Sequence, residues 1–443
     1  MSYYVPSTEP EQQAMLREAG FSGFADLYKD VPENIRIDSL DIPKGSSELG
    51  VRRVMEGLAA KNKIYRSIFR GGGAYNHYIP SLVKQITSRE EFITSYTPYQ
   101  AEISQGLLQA IFEFQTMMCE LTGLDSSNAS LYDGASAAGE AAAMCRDKRR
   151  TTVLISETAN PRTVEVVRTY TRAADVKCLL IPARDGMTDV GKLRAMMDDT
   201  TACVYIQSPN YYGLIEDAPA IAEAAHAGGA KFVMGVNPIA AAILKTPADC
   251  GADVAVGEGQ PLGLPLSFGG PYLGFMTCTA EMTRRLPGRI AGETVDTDGN
   301  RAFVLTLQAR EQHIRREKAS SNVCTNQALC ALTASVYLTV MGPGGLKEAA
   351  AQCHSKALYA AGQISAIPGF ELVYNGEFFH EFVTRCPVDS FRVLGALGER
   401  GILGGIPVDL KTGGDCLLWC VTEMNTSNDI DELAFVLKEA VGR

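Results

Sequence analysis

Five short β-rich runs, separated by stretches with helical periodicity, occupy the middle of this 443-residue chain. The runs cover residues 152–155, 176–181, 202–206, 231–236 and 253–256. Two parallel neighbours in a sheet need a long crossover connection, which is usually a helix. The spacing therefore predicts an α/β fold with a mainly parallel central sheet flanked by helices, and any ligand is expected at the carboxyl ends of the strands.

The sequence on either side of this region has a different character. Residues 1–95 contain short helical patterns joined by turns and predict a helical N-terminal arm, starting with a capping box formed by Thr8 and Glu11. Residues 96–343 hold a long apolar helix, predicted over 101–121, followed by the strand and helix repeats, and form a large α/β domain. From 344 to 443 the pattern of helix, strand, strand, helix, strand, helix predicts a small C-terminal α+β domain.

Composition excludes several classes of protein. There are 41 Lys and Arg residues against 51 Asp and Glu, so the net charge is −10, which disfavours nucleic acids and anionic membranes as partners. The longest apolar stretch, 328–341, is shorter than the ~20 residues of a membrane span and predicts a buried helix. The 12 cysteines form no C-x-x-C pair and the five histidines are scattered, so neither disulfides nor a zinc site is expected. With no basic-then-apolar start, we expect a cytoplasmic protein.

The segment 131–140 passes from a short strand through small residues directly into a helix. Backbone N–H groups at such a helix start can hold a phosphate. Alternatively, Asp133 or Ser136 caps the helix and the small residues only allow close packing. Glu140, taken as part of the first turn, favours the second interpretation because its charge would complement the helix dipole. The pattern alone leaves the two open.

The charged stretch 308–318 predicts a solvated helix face, since Glu311 and Arg315, and His313 and Glu317, are spaced for i,i+4 pairs. Residues 208–212 follow a strand and are interpreted as a loop, with a ligand-facing role as the alternative. Residues 257–271 are rich in glycine and predict a loop with special backbone angles. No nucleophile elbow, P-loop or H-E-x-x-H motif is present.

Five motifs are spread along the chain. They are Phe69–His77, Tyr96–Gly106, Tyr132–Glu140, Gly257–Gly263 and the stretch from Gln308 to Cys324. Together these motifs resemble the amino-terminal half of the P-protein family, the glycine decarboxylases of the glycine cleavage system that use pyridoxal phosphate (PLP). The length resembles the alpha chain of a P-protein split into two subunits.

The resemblance implies a fold-type-I PLP-dependent transferase, in which a lysine after the last central strand binds the cofactor. No lysine occurs between Thr246 and Glu317. Compared with the cofactor-bearing half of the family, Gln260 and Pro261 stand at the lysine triplet, and Met234 stands at the acid that pairs with the pyridinium nitrogen. The resemblance therefore implies a vestigial cofactor site, whose positions are Ser136, Glu140, Met234, Asn237, Gln260 and Pro261.

The implied protein is a non-catalytic alpha subunit, and no catalytic residue is expected in this chain. A beta subunit would bind PLP, and the complex would decarboxylate glycine and pass the aminomethyl group to the lipoamide of H-protein, with a functional link to T-protein and L-protein. This chain would supply one wall of the partner's active site. That wall is expected to comprise Asn76, His77, Tyr96, Thr97, Pro98, Tyr99 and Gln100.

Two alternatives remain. The chain could be a stand-alone PLP enzyme that uses Lys245 or Lys318. It could also be a purely scaffolding subunit, in which case the residues of the 96–100 turn would only lock an interface helix.

Overall fold

The structure is a computed structural model that describes residues 7–37, 39–43, 45–94, 98–319, 321–410 and 413–442. The chain divides into two compact units, residues 1–63 and 64–443. The domain limits expected at 95/96 and 343/344 stay predictions.

The first unit contains the helices α1 (Glu9–Glu18) and α2 (Glu48–Ala59). The capping residues predicted for α1 are confirmed, because the backbone N–H of Thr8 donates to Glu11 Oε2 at 2.6 Å. In α2, Ser47 Oγ accepts from the N–H of Gly50 at 3.2 Å. At the start of each helix, a side-chain oxygen thus accepts a hydrogen bond from a backbone N–H that has no partner within the helix.

The second unit holds the remaining helices. They are α3 Ser81–Thr87, α4 Glu90–Ile93, α5 Gln105–Thr122, α6 Gly134–Cys145, α7 Pro161–Ala173, α8 Val190–Met196, α9 Ala218–Ala227, α10 Gln312–Arg315, α11 Ala328–Ser365, α12 Ser390–Glu399 and α13 Ser427–Gly442.

The strands of this unit are mostly short. They are β1 Ser67–Ile68, β2 Ser126–Ser127, β3 Thr152–Ser156, β4 Cys178–Ile181, β5 Ala183–Arg184, β6 Met187–Thr188, β7 Thr201–Ser208, β8 Lys231–Val236, β9 Val254–Glu258, β10 Gly274–Cys278, β11 Ala291–Val295, β12 Arg301–Leu305, β13 Glu371–Leu372, β14 Glu381–Arg385, β15 Ile402–Leu403, β16 Ile406–Pro407 and β17 Cys416–Cys420.

Within the described residues, seven strands form the main sheet in the order β2-β10-β9-β8-β7-β3-β4. The run from β9 to β4 is parallel, and β10 pairs antiparallel with β9 and with β2. The five predicted strands and the parallel sheet are confirmed. Strand β10 was not predicted. Because it follows β9 in the chain, the strand that ends at Glu258 is not the last one of the sheet.

Both faces of this sheet are buried, as a parallel sheet requires. On β3, Leu154 belongs to the core cluster shared with α5, α9 and α11. Its neighbours Val153 and Ile155 belong to the opposite cluster, shared with α6 and α7. This alternation leaves the strand ends as the places where polar groups can meet.

A smaller four-stranded antiparallel sheet, β13-β14-β17-β16, lies in the carboxyl-terminal part of the chain. Trp419 on β17 is fully buried, and its indole N–H donates to Thr384 Oγ1 on β14 at 2.8 Å. The predicted alternation of helices and strands is therefore present, with the short β15 and β16 added.

Helix α11 begins at Ala328, where the buried helix over 328–341 was predicted, but it extends to Ser365. Gly342 interrupts it with a φ of 61°, and Pro343 follows. It is the one described helix whose length and hydropathy would suffice to cross a membrane, and half of its most apolar window is buried. Buried residues of its first part, such as Tyr337, pack in the main core, whereas Ala357 and Ile364 in its second part pack with the small sheet.

The stretch 308–318 is not one helix. It consists of two short 3₁₀ turns around the single-turn helix α10. Glu311 does not pair with Arg315 as predicted; its buried carboxylate lies 3.0 Å from Arg289 Nη1. A buried tertiary ion pair has replaced the solvated pair that spacing alone suggested.

Candidate functional site

A cavity of about 360 Å³ opens at the carboxyl ends of β7, β8 and β9. The start of α6 forms one side of it, and the glycine loop 71–73 forms another. Asn160, Gln207 and Asn237 contribute amide side chains to its wall. The cavity lies where ligands bind in open α/β sheets.

Asp133 caps α6, in agreement with one of the two interpretations of its sequence. Its Oδ1 accepts from the backbone N–H of Ser136 at 2.7 Å. Glu140 does not lie in the first turn, so that part of the prediction is wrong. It lies one turn further along α6, it is buried, and this burial raises its pKa. Its charge therefore does not complement the helix dipole.

Glu258, at the end of β9, closes the same helix terminus. Its Oε2 accepts from the N–H of Gly134 at 3.0 Å. Its Oε1 accepts from the N–H groups of Gln260 and Leu273 at 2.9 and 3.1 Å. Burial raises the pKa of Glu258 to about 7, although these three donors lower it. A backbone donor that could serve a phosphate is thus already paired with a carboxylate of this chain.

The end of β8 offers no acid to a pyridinium nitrogen. Met234 is buried in β8 and packs in the apolar core. Asn237 lines the cavity, and its Oδ1 accepts from the N–H groups of Ile239 and Ala240 at 2.9 and 3.2 Å. The two vestigial positions predicted here therefore differ in location: Asn237, just after β8, borders the cavity, whereas Met234 belongs to the core.

Gln260 links the glycine-rich loop after β9 to Tyr75. Its Oε1 accepts from the N–H of Tyr75 at 2.8 Å, and its Nε2 donates to the carbonyl of Tyr75 at 2.9 Å. The same Nε2 donates to the carbonyl of Leu264 at 2.8 Å. Gln260 and Pro261 are both buried, and Gln260 joins the loop after β9 to the backbone of Tyr75. That the two are vestigial cofactor positions stays a prediction.

Glu381 on β14 fixes the glycine loop from the other side. Its Oε1 accepts from the N–H of Gly72 at 2.7 Å, and its Oε2 accepts from the Tyr75 hydroxyl at 2.8 Å. The carboxyl group is fully enclosed, and this burial raises its pKa to about 7. Sequence analysis missed Glu381, because its partners lie more than 300 residues away along the chain.

The structure describes part of the wall that was predicted to face the partner. Tyr96 and Thr97 lie outside the described residues. Pro98 is buried, Tyr99 is half-buried and Gln100 is exposed. The Tyr99 hydroxyl donates to Asn326 Oδ1 at 2.6 Å, a partner that sequence analysis did not single out.

Asn76 and His77 have other partners. The carbonyl of Asn76 accepts from Thr422 Oγ1 at 2.7 Å, and His77 Nδ1 lies 2.8 Å from Glu423 Oε2. His77 is buried. Its ring is therefore held inside this chain, and its place in a wall facing a partner stays a prediction.

No lysine borders the cavity among the described residues. Lys245 and Lys318, the two alternatives for a Schiff base, are exposed and do not line it. Of the residues that sequence analysis missed, Glu258 carried the one usable signal, an acidic residue at the end of an apolar strand.

The chain matches proteins of known family over nearly its whole length. Residues 2–437 match the family model described as glycine cleavage system P-protein. A relative from Desulfitobacterium hafniense, named probable glycine dehydrogenase (decarboxylating) subunit 1, is 49% identical over 97% of this chain and 98% of its own length.

Solved structures agree with this match. The crystal structure of a glycine decarboxylase (P-protein) of the glycine cleavage system, in inhibitor-bound form, superposes with a TM-score of 0.94. It is 41% identical and covers 99% of this chain and 100% of its own. A sphingosine-1-phosphate lyase from Burkholderia pseudomallei, 14% identical, superposes with a TM-score of 0.70 over 93% of this chain and 94% of its own, and shows the fold alone. The predicted fold-type-I α/β architecture is confirmed, and this chain belongs to the glycine cleavage system P-protein family.

Proposed function

We propose that this chain is the cofactor-free alpha subunit of a split glycine decarboxylase. A second subunit binds PLP, which supplies the electron sink for decarboxylation. Together the two subunits decarboxylate glycine and transfer its aminomethyl group to the lipoamide of H-protein. This chain contributes structure and one wall of the partner's site.

The hydrogen bond between Glu258 and the N–H of Gly134 is the observation that carries this proposal. The carboxyl group of Glu258 already accepts from the N–H of Gly134 at the start of α6, so this donor is not free to bind a phosphate there. Among the residues that the structure describes, no lysine lines the cavity, and Met234 stands where the family comparison expects the acid. The described residues therefore do not fit PLP, and no step of the reaction is assigned to this cavity.

We expect the purified chain, incubated with PLP, to show no Schiff-base absorption band and to trap no PLP on reduction with borohydride. The co-purified complex with the partner subunit is expected to do both. Peptide mapping of the reduced samples locates any adduct. An adduct on Lys245 or Lys318 that disappears in the corresponding alanine variant would make this chain a PLP enzyme in its own right.

Substitutions in the 98–100 turn test the role as an active-site wall. Tyr99→Ala and Gln100→Ala are expected to lower the glycine exchange activity of the complex more than they lower assembly, because the turn would border the partner's site. Activity and size-exclusion profiles of the same preparation give both readouts. Lys192→Ala, at an exposed lysine of α8, is the control.

The contacts of Pro98 and Tyr99 inside this chain also suit a scaffolding subunit. If the turn variants reduce assembly and activity in equal proportion, the turn only packs, and the scaffolding role replaces the wall. The proposal further includes a cytoplasmic location, docking of H-protein to the complex, and a functional link to T-protein and L-protein.

A further inference from the structure

We infer that Asn326 is a positioning residue for Tyr99, and that the segment 321–326 faces the same partner subunit as the 98–100 turn. The inference rests on the proposed function and deepens it, because it adds a second segment to the surface that completes the partner's site. It also gives a role to the end of the 308–324 motif, which the proposed function leaves unexplained.

Asn326 connects the turn to the core through both ends of its amide. Its Oδ1 accepts from the Tyr99 hydroxyl at 2.6 Å, and its Nδ2 donates to Ser130 Oγ at 2.7 Å. Ser130 is fully buried, and the next residue, Leu131, bridges to Gly274 at the start of β10. Asn326 therefore links the Tyr99 hydroxyl to the buried segment that joins the main sheet.

Arg289 makes a second connection between the two segments. Its guanidinium carbon lies 4.1 Å from the centre of the Tyr99 ring, and its Nη2 donates to the carbonyl of Cys324 at 3.2 Å. Its Nη1 donates to the buried carboxylate of Glu311 at 3.0 Å. The ion pair fixes the guanidinium, and the guanidinium in turn holds the ring and the backbone of the 321–326 segment.

The segment has no regular secondary structure, yet buried residues anchor it at intervals. Val323 and Asn326 are buried, whereas Asn322, Cys324 and Thr325 are exposed. The exposed side chains are small, uncharged and able to form hydrogen bonds, like the neighbouring turn residue Gln100. Such anchoring of an irregular, outward-facing segment is typical of residues that must meet a partner in a fixed geometry.

Cys324 provides a direct test, because it is the exposed one among the 12 cysteines. An uncharged maleimide is expected to label Cys324 first in the isolated chain, as followed by peptide mass spectrometry. In the complex with the partner subunit we expect labelling to slow at least tenfold, since the segment is then covered. Cys324→Ser removes the labelled position and is the control.

Two outcomes are distinguished by this experiment. If the complex forms by size exclusion and binds PLP but Cys324 reacts as fast as before, the inference is wrong while the proposed function stands. If no complex forms, or if this chain alone traps PLP, the proposed function is wrong and the inference falls with it.

The positioning role of Asn326 is tested by a double-mutant cycle in the assembled complex. Tyr99→Phe removes the hydrogen bond between Tyr99 and Asn326, and Asn326→Ala removes it together with the bond to Ser130. Each variant is expected to lower kcat, with little change in KM or assembly. The double variant should lower kcat no further than Asn326→Ala alone. If the kcat losses of the two single variants multiply in the double variant, or if only assembly is lost, Asn326 is a packing residue and does not position Tyr99.

Discussion

Gly213→Ala is expected to lower the free energy of unfolding by more than ~3 kcal/mol or to prevent folding altogether. Gly213 has a φ of 87°, which a residue with a side chain adopts only with strain. A Cβ atom built there would lie 1.9 Å from the carbonyl oxygen of Glu381 and 2.4 Å from its carbonyl carbon. Both are backbone atoms of β14, so no side-chain rearrangement can relieve the clash.

Gly362→Ala is the matched control for this variant. Gly362 lies on the exposed side of α11, and a Cβ atom there would meet nothing within 4 Å. Because alanine favours helices, the control is expected to be neutral or to stabilise by up to ~1 kcal/mol. Urea unfolding followed by circular dichroism measures both. Equal effects of the two substitutions would show that the backbone of β14 yields at Gly213.

The sequence was most informative where structure depends on local periodicity. The run 231–236 is predicted with the bounds that β8 has, because it has no charged or polar side chain after Lys231 and both of its neighbours are parallel strands. The stretch 308–318 was predicted wrongly, because i,i+4 spacing describes an isolated helix. In the folded chain Glu311 is buried against Arg289, and this tertiary contact decides the local structure.

The location of the candidate site could be predicted from the sequence, but the side-chain contacts that build it could not. Parallel strands place ligands at their carboxyl ends, and the family resemblance marked Gln260 and Met234 as altered cofactor positions. Two carboxyl groups that organise the region, Glu258 and Glu381, were missed because the partners that place them at the site, Gly134 for Glu258 and Gly72 for Glu381, are distant in sequence. A single sequence records residue types, but not which buried donors a carboxylate will meet.

Glu381→Gln is expected to make stability less dependent on pH and to stabilise the chain above pH 7. In the folded chain, burial raises the pKa of Glu381 from the ordinary 4.5 to about 7. Between these two values unfolding releases a proton, because the unfolded carboxyl is ionised while the folded one is neutral. The favourable contribution is complete below the ordinary pKa and disappears as the pH rises through 7, a loss of about 3 kcal/mol.

Glutamine does not titrate, and its amide oxygen can still accept from the N–H of Gly72. The stability difference between Glu381→Gln and the wild type should therefore grow by about 2–3 kcal/mol between pH 5 and pH 8. His380, whose pKa is lowered by burial and whose Nε2 lies 3.8 Å from Glu381 Oε2, contributes with the opposite sign in both proteins. Urea unfolding at both pH values measures this difference, with Glu371→Gln, at an exposed glutamate of β13, as the control. A difference that stays constant with pH would mean that Glu381 remains ionised when buried, stabilised by the donors on the glycine loop and Tyr75.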